Sequence, residues 1–385
     1  MNTALKLLVI FFALAALAFV SFFLFIIFAL AGSEFYMILL GITDLLLLLL
    51  VPLTVFKTFT SRTIKIVWLS LLAGIILASV TRECIRSYHE GFEQLDEVRV
   101  DLNAYLPFAE GSRAAGLDSE STLRLRDSLP RMDGATALYP IYAAFAQAVY
   151  PEKEYPVYDS EVVCRTTAGA YDALIDGEAD IIFVLHPSRE QLEYASQQKV
   201  EMVLTPIGRE AFVFFVNAHN PVSGLTSEEL RKIYSGRVKN WKTLGGANRR
   251  IRAFQRETGS GSQTAFLKFM EGSEIMPPPR RNVVHGMGGI ISRTASYANY
   301  PNAIGYTFRF YAGSMVGNDG IKLLSVDGVA PGMETIRNGE YPLTAEFYAV
   351  TRADETNPNV RRLVGWILSE QGQSLIEKTG YNPLE

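Results

Sequence analysis

Three apolar runs at the N-terminus constrain this chain more than any other feature. Leu5 to Ala31 is almost purely apolar, a second run spans roughly Phe35 to Phe56, and a third roughly Ile64 to Val80. Crossing a bilayer takes about 20 apolar residues, with about 17 as the lower limit. The first two runs exceed that requirement and the third stands at its edge. Residues 1–81 are therefore expected to form three transmembrane α-helices. A signal peptide is the competing reading of the first run, because Ala29-Leu30-Ala31 resembles a small-residue cleavage site. Signal cores are only about 7–15 residues long, however, and two more apolar runs follow. Asp44 interrupts the second run. A carboxylate at that depth is a functional candidate by default, but here it is expected to pair within the bundle, or to lie near an interface because Gly41 breaks the run.

Loop charge sets the expected orientation. The loop Gly32-Ser33-Glu34 carries no basic residue, whereas the next loop holds Lys57, Arg62 and Lys65. Basic loops stay in the cytoplasm. That rule puts the N-terminus inside and delivers everything past about residue 82 to the outer face of a multi-pass plasma (inner) membrane protein. Arg82 and Arg86, just past the third run, pull weakly against this arrangement.

Residues 82 to about 126 read as a polar connector with little sign of a core. Beyond it, short apolar strands alternate with amphipathic helices. Asp180–Leu185 and Ala211–Val216 are continuous apolar runs of strand length. Helices are expected over Tyr139–Tyr150, with Pro140 tolerated in the first turn, and over Tyr171–Gly177. Thr226 and Glu229 form a capping-box pattern, with Leu225 and Leu230 as its staple. This alternation predicts an α/β fold with largely parallel sheets. The net charge of -4 and the lack of a basic tract argue against a nucleic-acid partner. The two cysteines, Cys84 and Cys164, and the four histidines show no metal-ligand spacing, so no metal or cofactor is expected. A Cys84–Cys164 bridge is an open alternative to free thiols.

The chemistry concentrates at strand-to-helix junctions. In Arg256-Glu-Thr-Gly259-Ser260-Gly261-Ser262, two glycines allow a sharp turn and close backbone approach to a ligand. A helix start follows, with unpaired N–H groups that attract anions. Ser260 is the expected cap and Gln263 its box partner. Arg256 adds a fork of donors. Two other junctions, Asp133-Gly134-Ala135-Thr136-Ala137 and Cys164-Arg165-Thr166-Thr167-Ala168-Gly169, also place small hydroxyl residues at helix starts. Each alone reads as an ordinary cap. Three together, beyond the carboxyl ends of strands, suggest a pocket for a small anion. The segment His285-Gly286-Met287-Gly288-Gly289 reads as a structural turn opening a further helix.

The order Asp133–Thr136, Thr166–Gly169, Arg256–Ser262 resembles the PstS-type phosphate-binding proteins of ATP-driven transporters. Leu225–Gly236, Asn240–Gly246, Ala303-Ile-Gly-Tyr306 and Gly380-Tyr-Asn-Pro383 support the likeness, which covers about residues 127 to 385. The resemblance implies a two-lobed periplasmic-binding-protein fold (type II-like), with lobe one at about 127–207 and 307–385 and lobe two at about 208–306. It implies that Thr136, Ala137 and Thr166 hold phosphate or a similar oxyanion from one lobe, and Arg256, Ser260, Gly261 and Ser262 from the other. The family places an aspartate that accepts the proton of hydrogen phosphate shortly after the strand matching Asp180–Leu185. Here Val184-Leu185-His186-Pro187-Ser188 contains no carboxylate, although His186 could accept through a neutral nitrogen. Family members are secreted or lipid-anchored, so three spans would suit a tethered receptor working with a membrane transporter or sensor partner. No Gly-x-Ser-x-Gly elbow or His-Glu-x-x-His motif supports the alternative of a phosphoester hydrolase. A ligand-free interaction scaffold is the third reading.

Overall fold

The computed structural model describes residues 3–30, 34–56, 62–90, 94–95, 101–277, 283–284, 297–298, 300–316 and 320–384. They divide into two units, Met1–Gly91 and Phe92–Glu385. The turn expected at His285–Gly289 lies outside the described residues.

In the first unit the apolar runs fold as α1 (Thr3–Leu30), α2 (Glu34–Val55) and α3 (Arg62–Glu90). Phe11, Phe12, Phe19 and Phe22 are exposed, as lipid-facing side chains would be. Among the described residues, two of these helices, not three, are long and apolar enough to cross a bilayer: Thr3–Phe28 and Phe35–Val55. The apolar part of α3, Ile66–Arg82, is shorter. The helix then continues to Glu90, past the end of its apolar stretch. Asp44 is paired inside the unit, as its Oδ1 accepts from Ser21 Oγ on α1 at 2.7 Å. The Arg82 guanidinium covers the Phe35 ring at 4.3 Å, tying α3 to the start of α2.

The second unit is organised by a mixed sheet of eight strands: β1 (Met132–Gly134), β2 (Ile181–Leu185), β3 (Met202–Asn217), β4 (Arg252–Ala253), β5 (Ala303–Phe308), β6 (Ile321–Leu323), β7 (Thr344–Arg352) and β8 (Asn382–Pro383). Their order is β1-β2-β7-β3-β5-β4, and β6 and β8 also pair with β3. Only β1–β2 and β5–β4 are parallel in this sheet. The long β3 pairs antiparallel with β5, β6, β7 and β8. The expectation of largely parallel sheets fails because the chain repeatedly returns alongside this one long strand.

Two hydrophobic cores flank the crossing. One gathers Met132, Tyr142, Phe183, Ile207, Phe310, Phe347 and Trp366. The other gathers Phe212, Phe214, Tyr234, Trp241, Phe266 and Tyr306. Strand β3 runs from the first core into the second, since Ile207 belongs to one and Ala211 to the other. The fold is thus two-lobed. Its lobes take residues differently from the expectation in two places. Leu324, Val326, Ile336 and Tyr341 join the second core, because β6 pairs with the second-core end of β3. The segment read as a connector contributes Leu102, Tyr105, Leu123 and Leu125 to the first core. Its apolar residues are too sparse to show a period, so their burial was not visible locally.

The remaining helices are α4 (Tyr139–Val149), α5 (Thr166–Ile175), α6 (Arg189–Gln198), α7 (Ser227–Tyr234), α8 (Gly261–Phe269), α9 (Met333–Arg337), α10 (Pro358–Ile367) and α11 (Glu370–Thr379). Gly208 shows how tightly the crossing is packed. An added Cβ there would lie 2.4 Å from Phe347 Cζ and 2.9 Å from the Asn382 carbonyl oxygen.

Candidate functional site

The start of α8 is built much as its residues demand. Gly259 takes φ +85°, open to glycine and strained for other residues. Ser260 is the N-cap, and its Oγ accepts from Gln263 N at 3.2 Å. The reciprocal half of the expected box does not form. Gln263 Oε1 instead accepts from Arg256 N at 3.0 Å and from the Tyr306 hydroxyl. Tyr306 stacks flat on Phe266, with ring centroids 4.4 Å apart. Gln263 therefore locks the strand end that carries Arg256 to the helix start that carries Gly261 and Ser262, both buried.

The first corner differs from a plain capped helix. Thr136–Leu138 forms a 3-10 turn before α4, with no side-chain cap. Ala137 O accepts from the Tyr381 hydroxyl. Thr136 Oγ1 lies 3.9 Å from Cys164 Sγ, which joins this corner to the second. Both cysteines are free, Cys84 exposed and Cys164 buried. Burial pushes the Cys164 thiol up to about 11.

Asp133 couples the two corners and was not singled out as a role-bearing residue from sequence. It is fully buried. Its Oδ1 accepts from Gly134 N at 2.7 Å and from Arg165 N at 2.8 Å, while Oδ2 lies 3.4 Å from Arg165 Nη1. Burial raises its carboxyl to about 6, although these backbone donors oppose the shift. A buried polar residue at a strand's carboxyl end was the available signal.

At the second corner Arg165, not Thr166, occupies the N-cap, and no side chain caps α5. Thr166 opens the helix at φ +67°. A β-branched residue in that region is a genuine outlier, and such strain clusters at ligand clamps. Thr167 is buried and faces the other lobe. An ideal Cβ on Gly261 would stand 3.3 Å from Thr167 Oγ1, 2.9 Å from Leu185 Cδ1 and 3.8 Å from Leu185 Cβ. The starts of α5 and α8 and the end of β2 therefore meet at Gly261. From α6, whose Ser188–Gln191 capping box was missed in the sequence, Gln191 Nε2 donates to Gly259 O at 3.4 Å.

His186 is exposed. Its Nδ1 lies 3.1 Å from Pro187 O, and its ring meets Tyr348 edge-on at 6.3 Å. It borders a groove of about 1170 Å³ that Leu185 and Gly261 also line, but that none of the other six anticipated residues lines. A helix start leaves backbone N–H groups without an intrahelical partner and carries the positive end of the helix dipole, which suits an anion.

The sequence profile of the PBP superfamily domain matches residues 126–371. The chain belongs to that superfamily. Within it, the chain is PstS-like with apolar N-terminal helices. The phosphate-binding protein PstS of Bacillus subtilis is 27% identical over 257 residues, covering 66% of this chain and 80% of the relative. PstS of Borreliella burgdorferi is 26% identical over 200 residues, covering 50% and 68%. Among solved structures, a Clostridium perfringens protein described as a phosphate ABC transporter substrate-binding protein, with bound phosphate, superposes with a TM-score of 0.51 at 24% identity. The match covers 66% of this chain and 98% of that one, and it carries the fold.

Proposed function

We propose that this chain is a membrane-anchored, extracytoplasmic substrate-binding protein for phosphate or a similar small oxyanion. It serves transport or sensing by closing its two lobes on the ligand, alongside a membrane transporter or sensor partner. The observation that carries this reading is the approach of Thr167 on α5 to Gly261 on α8 across the lobes. That approach turns two helix starts toward one point, where positive helix ends attract negative charge. The names of the relatives attach phosphate to this architecture, and we carry that ligand class over here. Thr136, Ala137, Thr166, Arg256, Ser260, Gly261 and Ser262 are the proposed ligand contacts, with Thr167 added.

The role is binding rather than turnover. Ser260 Oγ donates to Glu257 O at 3.1 Å and accepts from Gln263 N, so it is held as a cap and not poised as a nucleophile. Closure over bound anion follows the hinge type of domain motion.

Titration calorimetry on the full chain in detergent tests the proposal. Phosphate, sulfate or a small phosphoester should release heat at a one-to-one ratio. Arg256→Ala should weaken the binding by about tenfold to a hundredfold, the worth of a charge-assisted hydrogen bond. No heat with any of these anions overturns the reading.

A further inference from the structure

We propose that Leu185 makes this pocket select tetrahedral dianions that carry no proton over hydrogen phosphate. The ligand class is sulfate, or a phosphoryl group whose fourth oxygen is esterified. This rests on the anion-binding reading above and narrows it.

Leu185 ends β2 and points out of its own lobe. Its neighbour Phe183 belongs to the first core, yet Leu185 packs into the second. It is 7% exposed, and its Cδ1 fills the space where a Cβ on Gly261, at the start of α8, would lie, 2.9 Å from that position. Its carbonyl is already engaged by the Tyr171 hydroxyl at 2.7 Å. The wall it presents beside the helix start is therefore hydrocarbon. The next residue cannot replace the missing acceptor, because the His186 ring is exposed and lies against Pro187 O and Tyr348. Asp133, buried at the adjoining corner, has Oδ1 occupied by two backbone donors, and its Oδ2 is held 3.4 Å from Arg165 Nη1 in an ion pair rather than a hydrogen bond.

Ligand chemistry then decides. Inorganic phosphate at neutral pH keeps at least one P–OH, and a buried donor without an acceptor is penalised. Sulfate and a phosphomonoester dianion carry no such proton. A carboxylate in place of Leu185 would reverse the preference by repelling a fully ionised ligand and accepting from a protonated one. Leu185 does neither, so the helix starts and Arg256 favour the anion with the most exposed negative oxygens.

The test compares sulfate, glycerol 3-phosphate and inorganic phosphate by calorimetry on the full chain in detergent at pH 7. Sulfate or the ester should bind at least tenfold more tightly than phosphate. Leu185→Asp should weaken sulfate and the ester by tenfold or more and improve phosphate. Phosphate binding tenfold more tightly than both others to the unaltered chain would overturn the inference and leave the anion-binding function standing. If Leu185→Asp does not fold, the ratio measured on the unaltered chain decides alone. Failure of all three anions to bind would instead overturn the underlying function.

Discussion

Glu210 is the residue where the crossing between lobes is most exposed to pH. It lies on β3, 2% exposed. Its Oε1 accepts from Ala211 N at 2.8 Å, its Oε2 accepts from Phe310 N at 3.1 Å, and Arg309 Nε stands 3.4 Å away. One carboxylate thus joins two passages of the chain between the cores. Arg309 and Tyr381 are the titratable groups coupled to it. Burial raises its carboxyl from 4.5 to about 7, against the pull of Arg309 and both backbone donors. Between those two values the native state holds a proton that the unfolded chain has released. Stability therefore falls as pH rises through that window. The effect is at most about 3 kcal/mol. Denaturant midpoints measured from pH 4.5 to 7.5 should decline for the native sequence, and Glu210→Gln should flatten the decline even if it lowers stability throughout.

Helix starts carry the chemistry at the scale of elements, and they are not interchangeable. The α7 box is complete: Thr226 Oγ1 accepts from Glu229 N at 3.1 Å, and Glu229 Oε2 accepts from Thr226 N at 2.8 Å. At α8 the cap Ser260 acts alone, because Gln263 is spent on Arg256 and Tyr306. Thr226→Ala and Ser260→Ala should each cost about 1 kcal/mol in chemical denaturation, the usual worth of a cap. Calorimetry should separate them. Thr226→Ala should leave anion affinity unchanged, whereas Ser260→Ala should reduce it severalfold, since only that start faces the other lobe. Equal effects on binding would remove α8 from the site. The N-terminal helices teach a related lesson about length. α1 and α2 satisfy a bilayer by composition alone, but the apolar stretch of α3 stops at Arg82, where its guanidinium rests on Phe35.

The second unit is built around two large cores that share one long strand. The passages near residues 207–211, 308–310 and 341–347 link them, and Gly208 is packed too tightly for any side chain. Gly261 lies between the lobes, where an added Cβ would stand 2.9 Å from Leu185 Cδ1 and 3.3 Å from Thr167 Oγ1. Alanine is acceptable to a helix start, so Gly261→Ala should leave the denaturation midpoint nearly unchanged. Its methyl would wedge between Leu185 and Thr167 and hold the lobes apart. Anion-binding calorimetry and small-angle neutron scattering, with the detergent matched out, should then show affinity lower by more than tenfold and no ligand-induced contraction. A variant that still contracts on anion addition would refute closure at this contact.

Much of this protein is written in local sequence because local physics is sufficient for it. Apolar run length made α1 and α2, Thr226 and Glu229 made the α7 box, and Gly259-Ser260-Gly261 made the turn into α8. These depend on residues within one or two helical turns of each other. The lobe membership of residues 324–341, the burial of Leu102 and Tyr105, and the antiparallel returns along β3 depend on contacts between distant segments, which no local period encodes. The same holds within the site. Sequence pointed to small hydroxyl residues at the start of α5 and to a full Ser260–Gln263 box. Tertiary packing instead twisted Thr166 to positive φ, turned Thr167 toward Gly261, and drew Gln263 to Arg256 and Tyr306. Leu185 was legible only as a missing carboxylate. That its methyl fills the Cβ position of Gly261 at the start of α8 depends on two lobes meeting, and contact between lobes is settled by the fold as a whole.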